Sequence, residues 1–233
     1  MLSLAGILLG ILLLIGGGTA LVTGASRIAT QLGVSPMIVG LTIVGFGTSA
    51  PELVINVLGA LQGETALAFG NVIGSNISNL GLVLGLSALF HSIDLKGNVV
   101  RREVPLLLLI TSIIIVMAMD GVFEQQAAHI SRSDSLVLFL LFGIFIYITV
   151  QDLVKDRQAD PLIADIANNP IVMTAERGKR QWLLVIAGFT LLIFGGEITI
   201  RNSVELADKI DVSTTVVGLF VVAIGTSMPE LVT

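Results

Sequence analysis

The chain contains no cysteine, which excludes disulfides and thiolate metal sites. Charge is scarce: Asp, Glu, Lys and Arg together are 12% of its 233 residues, against about 25% in a soluble domain. Aromatics are 5%, with one Trp and one Tyr, so aromatic belts at a membrane interface are only weakly marked. The two histidines, His91 and His129, make no metal-ligand pair. No HExxH motif, phosphate loop or Ser/His/Asp set is present, so an enzyme is not expected. The first residues lack both a basic region and a small-residue cleavage site. They therefore read as a first membrane helix and not as a signal peptide.

What is abundant is apolar: 54% of residues are hydrophobic and the mean hydropathy is +0.97. That composition belongs to an integral membrane protein, with the lipid bilayer as its main partner and no nucleic acid. A helix needs about 20 apolar residues to cross the bilayer. On that measure seven segments emerge: about Leu4 to Thr23 or Ile28, Pro36 to Leu61, Thr65 to Phe90, Val104 to Met119, Ser135 to Val150, Trp182 to Ile200, and a last one from near Thr214. Residues 151–181 are polar and charged and read as a linker, with a short helix expected around Leu162 to Ala167. Lys and Arg set orientation. Nine lie in the loops after the first, third and fifth segments and three in the others, so the linker is cytoplasmic and the N-terminus outside.

Within this apolar background one stretch occurs twice: GLTIVGFGTSAPELV from Gly40 to Val54, and GLFVVAIGTSMPELV from Gly218 to Val232. The likeness is longer than the motif. Residues 10–55 pair with 188–233 at a constant offset and without a gap, and 20 of the 46 pairs are identical. Five segments separate the two starts. Five is odd, so the second copy sits upside down relative to the first. Inverted repeats with broken helices and a midplane site mark secondary transporters.

Each motif is costly in hydrocarbon. A carboxylate there costs at least about 2.5 kcal/mol, and a proline removes a helical hydrogen bond. Thr48 and Glu52 are four apart and share a helix face. Pro51 crowds the carbonyl of residue 47, so a break is expected near Gly47–Thr48, freeing carbonyls from about Gly45 to Thr48. Ala223, Thr226 and Glu230 take the same roles in the second copy. Carbonyls, a hydroxyl and a carboxylate are hard ligands suited to Ca2+ or Na+. Two carboxylates balance one Ca2+ or two Na+. The third segment carries GNVIGSNISN, Gly70 to Asn79, with Asn71, Ser75 and Asn79 spaced four apart as a polar stripe. Gly70, Gly74 and Gly81 would let another helix approach closely. Glu197 and Arg201, also four apart, read as an ion pair near the membrane edge.

GTSAPE on a broken second helix, GNVIGSNISN on the third and GTSMPE on the seventh resemble the sodium/calcium exchanger family of the cation/calcium antiporter superfamily, in its prokaryotic form. The resemblance implies an all-α polytopic membrane protein: two inverted five-helix halves, with helices 2 and 7 broken and seven of an expected ten helices present. Residues 1–150 would form the first half, with a complete first alpha repeat at about 36–90. Residues 151–181 would be the cytoplasmic linker, and 182–233 the start of the second half with a partial repeat. It further implies Ca2+/Na+ antiport across a prokaryotic inner membrane, with the two ions as cargo and no cofactor. The implied ion ligands are the Gly45 carbonyl, Thr48, Glu52, Ser75 and Asn79 from the first repeat, and the Ala223 carbonyl, Thr226 and Glu230 from the second. Ser49, Asn71 and Ser227 would support them. The family's proton-coupled branch usually has an acidic residue in the third helix, where this chain has Ser75, Asn76 and Asn79. Other readings are a Ca2+/H+ or Na+/H+ antiporter, a cation channel, and an inactive fragment, since on this resemblance the chain stops inside its seventh helix. Stoichiometry and oligomeric state stay open.

Overall fold

Buried apolar residues of the computed structural model come from helices far apart in sequence: Leu14, Ile55, Leu67, Leu192 and Val222 form one cluster. The structure describes residues 2–32, 39, 43–93, 99–119, 130–159 and 175–232. Among these the chain is helical, with no strand. Its elements are α1 (Leu2–Gln31), α2 (Gly45–Thr48), α3 (Ala50–Leu61), α4 (Thr65–Phe90), α5 (Val104–Met117), α6 (Arg132–Ala159), α7 (Ala175–Lys209), α8 (Thr214–Thr226) and α9 (Met228–Val232). Among the described residues, four stretches are long and apolar enough to cross a membrane: Leu2–Gln31, Thr65–Phe90, Arg132–Thr149 and Lys179–Lys209. Large apolar side chains such as Leu12, Phe139, Phe189 and Phe194 are exposed along them, as a lipid-facing surface requires.

The helices run past the apolar segments from which they were expected. α1 continues to Gln31, α6 to Ala159 and α7 begins at Ala175. The stretch 151–181, read as a loop, is therefore helical at both ends. Its Gln, Lys, Arg and Ala residues have high helix propensity and extend the helices beyond the hydrocarbon. The short helix expected at about Leu162 to Ala167 lies outside the described residues. The second segment, in contrast, is interrupted as expected, between α2 and α3.

The chain divides into two compact units, Met1–Ser92 with Leu162–Thr233, and Ile93–Pro161. The second unit contains α5 and α6, whose facing side chains Leu107, Ile110, Leu138 and Phe142 line an apolar groove. The first unit contains both motifs. Its frame is the pair α1 and α7. A Cβ at Gly10 would meet the Gly195 carbonyl, one at Gly17 the Gly188 carbonyl, and one at Gly24 the Gln181 carbonyl, each within 2.9 Å. As one number rises its partner falls, so the two helices are antiparallel and nearly in backbone contact. Without glycine at these positions they could not approach so closely. Lys209 at the end of α7 donates to Ser3 Oγ at the start of α1, 2.9 Å away, fastening the pair at one edge.

α3 ends where Gly63 turns left-handed, φ 84°. The Glu64 N–H returns to the Gly59 carbonyl at 2.8 Å and Gly63 N–H to Ala60 at 3.3 Å, which is a Schellman closure. This turn sends α4 back against α3.

Candidate cation site

The break in each motif follows from proline chemistry. Pro51 has no N–H for the Gly47 carbonyl, and Pro229 has none for that of Gly225. Each chain stretch leaves the helix for one residue and starts a new helix with Pro in its first turn, where a missing donor costs nothing. The residue that turns is Ser49 in one copy (φ −86°, ψ 6°) and Ser227 in the other (φ −82°, ψ 4°). The break thus falls just after the expected Gly47–Thr48 and has the same geometry twice. Wide, π-type turns precede it in both copies, at 43–44 and at Gly218–Val222.

α4 brings the copies together. Gly70 and Gly74 face α8 so closely that an added Cβ would lie 2.2 Å from the Thr215 carbonyl and 2.3 Å from that of Leu219. Gly218 of α8 answers with a Cβ position 2.4 Å from the Leu67 carbonyl. These glycines act as the sequence suggested. Gly81 does not: nothing lies within 4 Å of its Cβ position.

At the crossing, the Glu52 carboxylate sits against Thr226 and Ser227 and within the field of Glu230. The Glu230 carboxylate sits against Thr48. Each motif's glutamate therefore faces the hydroxyl-bearing turn of the other motif. Glu52 is 9% exposed, and Asn71, Thr226 and Ser227 are 1% or less. Both Glu52 carboxylate oxygens are buried without a hydrogen-bond partner, as are Asn79 Oδ1 and Ser227 Oγ. Buried oxygens of that kind cost roughly 1–3 kcal/mol each, more when charged, unless something positive meets them. This donor set fits a hard cation: carboxylate, hydroxyl and amide oxygens, with no sulfur and no imidazole.

The remaining expected residues hold local bonds. Thr48 Oγ1 donates to the Gly45 carbonyl at 3.2 Å, and Thr226 Oγ1 to that of Ala223 at 3.3 Å. The Ala223 carbonyl also accepts the Ser227 N–H at 3.1 Å. The Gly45 and Ala223 carbonyls, expected to be free, are thus turned to their own motif's threonine. Ser75, buried, donates to the Val72 carbonyl at 3.1 Å. Gly45 and Ser49 lie on the exposed side of their break.

Asn56 was not anticipated. Its Oδ1 accepts Asn71 Nδ2 at 2.8 Å, while Asn71 Oδ1 lies 3.5 Å from Thr226 Oγ1. An asparagine amide presents its oxygen on one side only. With Asn71 Nδ2 on Asn56, the Asn71 oxygen points to the second motif. The signal was its spacing, one turn after Glu52 on the same face.

A cavity of about 380 Å³ lies between α1 and the first motif, lined by Ile15, Thr19, Val22, Thr23, Thr48 and Met228. Thr48 forms part of its wall.

The profile of a family described as "Sodium/calcium exchanger protein" matches residues 2–151 and 180–233. The chain is 32% identical to the inner membrane protein YrbG of Escherichia coli (strain K12), over 100% of this chain and 70% of that one. It is 29% identical to the sodium/calcium exchanger MaX1 of Methanosarcina acetivorans, over 97% of this chain and 71% of that one. A solved structure of the sodium-calcium exchanger NCX_Mj, soaked with zero Na+ and Ca2+, is 30% identical and covers 99% of this chain and 70% of its own, with a TM-score of 0.48.

Proposed function

Because the chain belongs to the sodium/calcium exchanger family, we propose that it exchanges Ca2+ for Na+ across a membrane by alternating access at the site between its two motifs. The observation that carries this reading is the crossed pairing: Glu52 lies against Thr226 and Ser227, and Glu230 against Thr48. One Ca2+ or two Na+ would neutralise the two carboxylates. A charge left in hydrocarbon costs several kcal/mol, so only the loaded site would cross between states, and that requirement couples the two ions. Gly45, Thr48, Glu52, Ser75, Asn79, Ala223, Thr226 and Glu230 are the proposed ligands, with Ser49, Asn71 and Ser227 in support. The hydroxyls of Thr48 and Thr226 would turn from their own carbonyls to release the Gly45 and Ala223 oxygens.

The two copies would form an inverted repeat. The antiparallel register of α1 and α7 and the matched turns at Ser49 and Ser227 support it. The α1–α7 pair would be the gate, sliding over α2, α3 and α8 on apolar contacts such as Val22 with Gly47 and Ile11 with Gly225.

The test is uptake of radioactive Ca2+ into proteoliposomes loaded with Na+. The proposal predicts uptake that follows the Na+ gradient and falls to background with Glu52→Gln. Uptake driven by a pH difference and indifferent to Na+ would replace Na+ by H+ as the coupling ion. Uptake unchanged by Glu52→Gln would refute the site.

A further inference from the structure

Glu197 has no part in the crossed site, yet it is an acidic residue in a helix long and apolar enough to span a membrane. Such residues are rare, and they pair with something when they occur. Part of its partnership is local, with Arg201 Nε bonding to Glu197 Oε1 one turn on. The other carboxylate oxygen, Oε2, accepts Gln62 Nε2 from the end of α3. Gln62 is held there by the Gly63 turn that closes α3. The contact joins the α1–α7 pair to the element that carries Glu52.

Beside it, α7 is pressed on α3: a Cβ at Gly196 would lie 2.8 Å from Val54 and 3.0 Å from Leu58. On the other side of the pair, Gly18 meets the first motif more loosely, its Cβ position 3.4 Å from the Gly47 carbonyl. The cavity beside Thr48 opens there. Gly18 and Gly196 are matched positions of the two copies, as are Thr19 and Glu197. Thr19 carries no charge, and its hydroxyl bonds back to the Ile15 carbonyl at 2.8 Å.

We infer that Gln62 and Glu197 form a latch that holds the α1–α7 pair closed on α3, and so favours the state in which the cavity beside Thr48 is open. They are positioning residues, not ion ligands. The inference rests on the alternating-access reading above. In a transporter built from two inverted copies, identical copies would make the two states equal in energy. The copies differ here, since Glu197 accepts a charge-assisted hydrogen bond where the matched Thr19 carries no charge, and Arg201 holds the carboxylate in place for it.

Because the sequence has no cysteine, a single introduced thiol reports on the cavity. The measurement is the labelling rate of Thr23→Cys, in that cavity wall, by a membrane-impermeant thiol reagent in reconstituted protein. Removing the latch with Gln62→Leu should slow labelling roughly threefold or more, the effect of losing one exposed hydrogen bond. Glu197→Thr, which makes the second copy match the first, should slow it similarly. Combining the two should add nothing further, since both break one contact. Labelling unchanged by both substitutions, or absent from the Thr23→Cys protein with Gln62 and Glu197 intact, overturns the latch. The readout needs no transport, so it is separable from the exchange assay: loss of Na+-driven uptake in the parent refutes the antiport reading and leaves the labelling result to judge the latch.

Discussion

Asn56 is the residue whose importance only the three-dimensional arrangement reveals. Its removal would leave the wholly buried Asn71 amide without its partner at 2.8 Å, a loss of about 1–3 kcal/mol. Asn56→Ala is therefore expected to raise the Ca2+ concentration for half-maximal uptake by about tenfold, since 1.4 kcal/mol is a factor of ten. Asn56→Asp keeps the accepting oxygen and should recover most of the affinity; equal losses in the two variants would show that Asn56 acts by packing. Glu52 and Glu230 were legible in the sequence because a carboxylate in an apolar run is conspicuous and here occurs twice in register. Asn56 was not, since one asparagine in a membrane helix has many uses and its position lies past the paired stretch 10–55. Gln62 escaped for a related reason: the turn that aims it at Glu197 depends on a fold, not on spacing.

At the scale of elements, the crossing of α4 and α8 sets how near the two motifs stand. Gly74→Ala puts a methyl where the Leu219 carbonyl lies 2.3 Å away, and overpacking of that kind costs about 1–3 kcal/mol. Its thermal midpoint in detergent should fall by several degrees. Gly81→Ala meets nothing within 4 Å and should hold or raise the midpoint, as helical alanine exceeds glycine by up to about 1 kcal/mol. A fall in both would mean that α4 is packed along its whole length. The sequence displayed the three glycines alike, and only the path of α8 tells them apart. Helix interruption was readable from Pro51 and Pro229, because the missing N–H is a local fact. Helix ends were less so: α6 and α7 persist into charged sequence whose residues have high helix propensity. The bonds from Thr48 to the Gly45 carbonyl and from Thr226 to that of Ala223 were also hidden, being a choice among hydroxyl partners that spacing leaves open.

For the whole molecule, the account makes folding and ion binding interdependent. A cation that meets the buried oxygens of Glu52, Asn79 and Ser227 binds the folded protein alone, and stabilises it by about 2.7 kcal/mol at a hundredfold excess over its dissociation constant. Ca2+ should therefore raise the unfolding temperature of the parent protein and leave that of Glu52→Gln nearly unchanged. The central claim is that the two motifs build one site. Calorimetric titration of Ca2+ into the parent protein, Glu52→Gln, Glu230→Gln and the double variant tests it most directly. A shared site predicts that either single substitution abolishes high-affinity binding and that the double variant is no worse than each single one. Two binding events in the parent, with one surviving in each single variant, would contradict it.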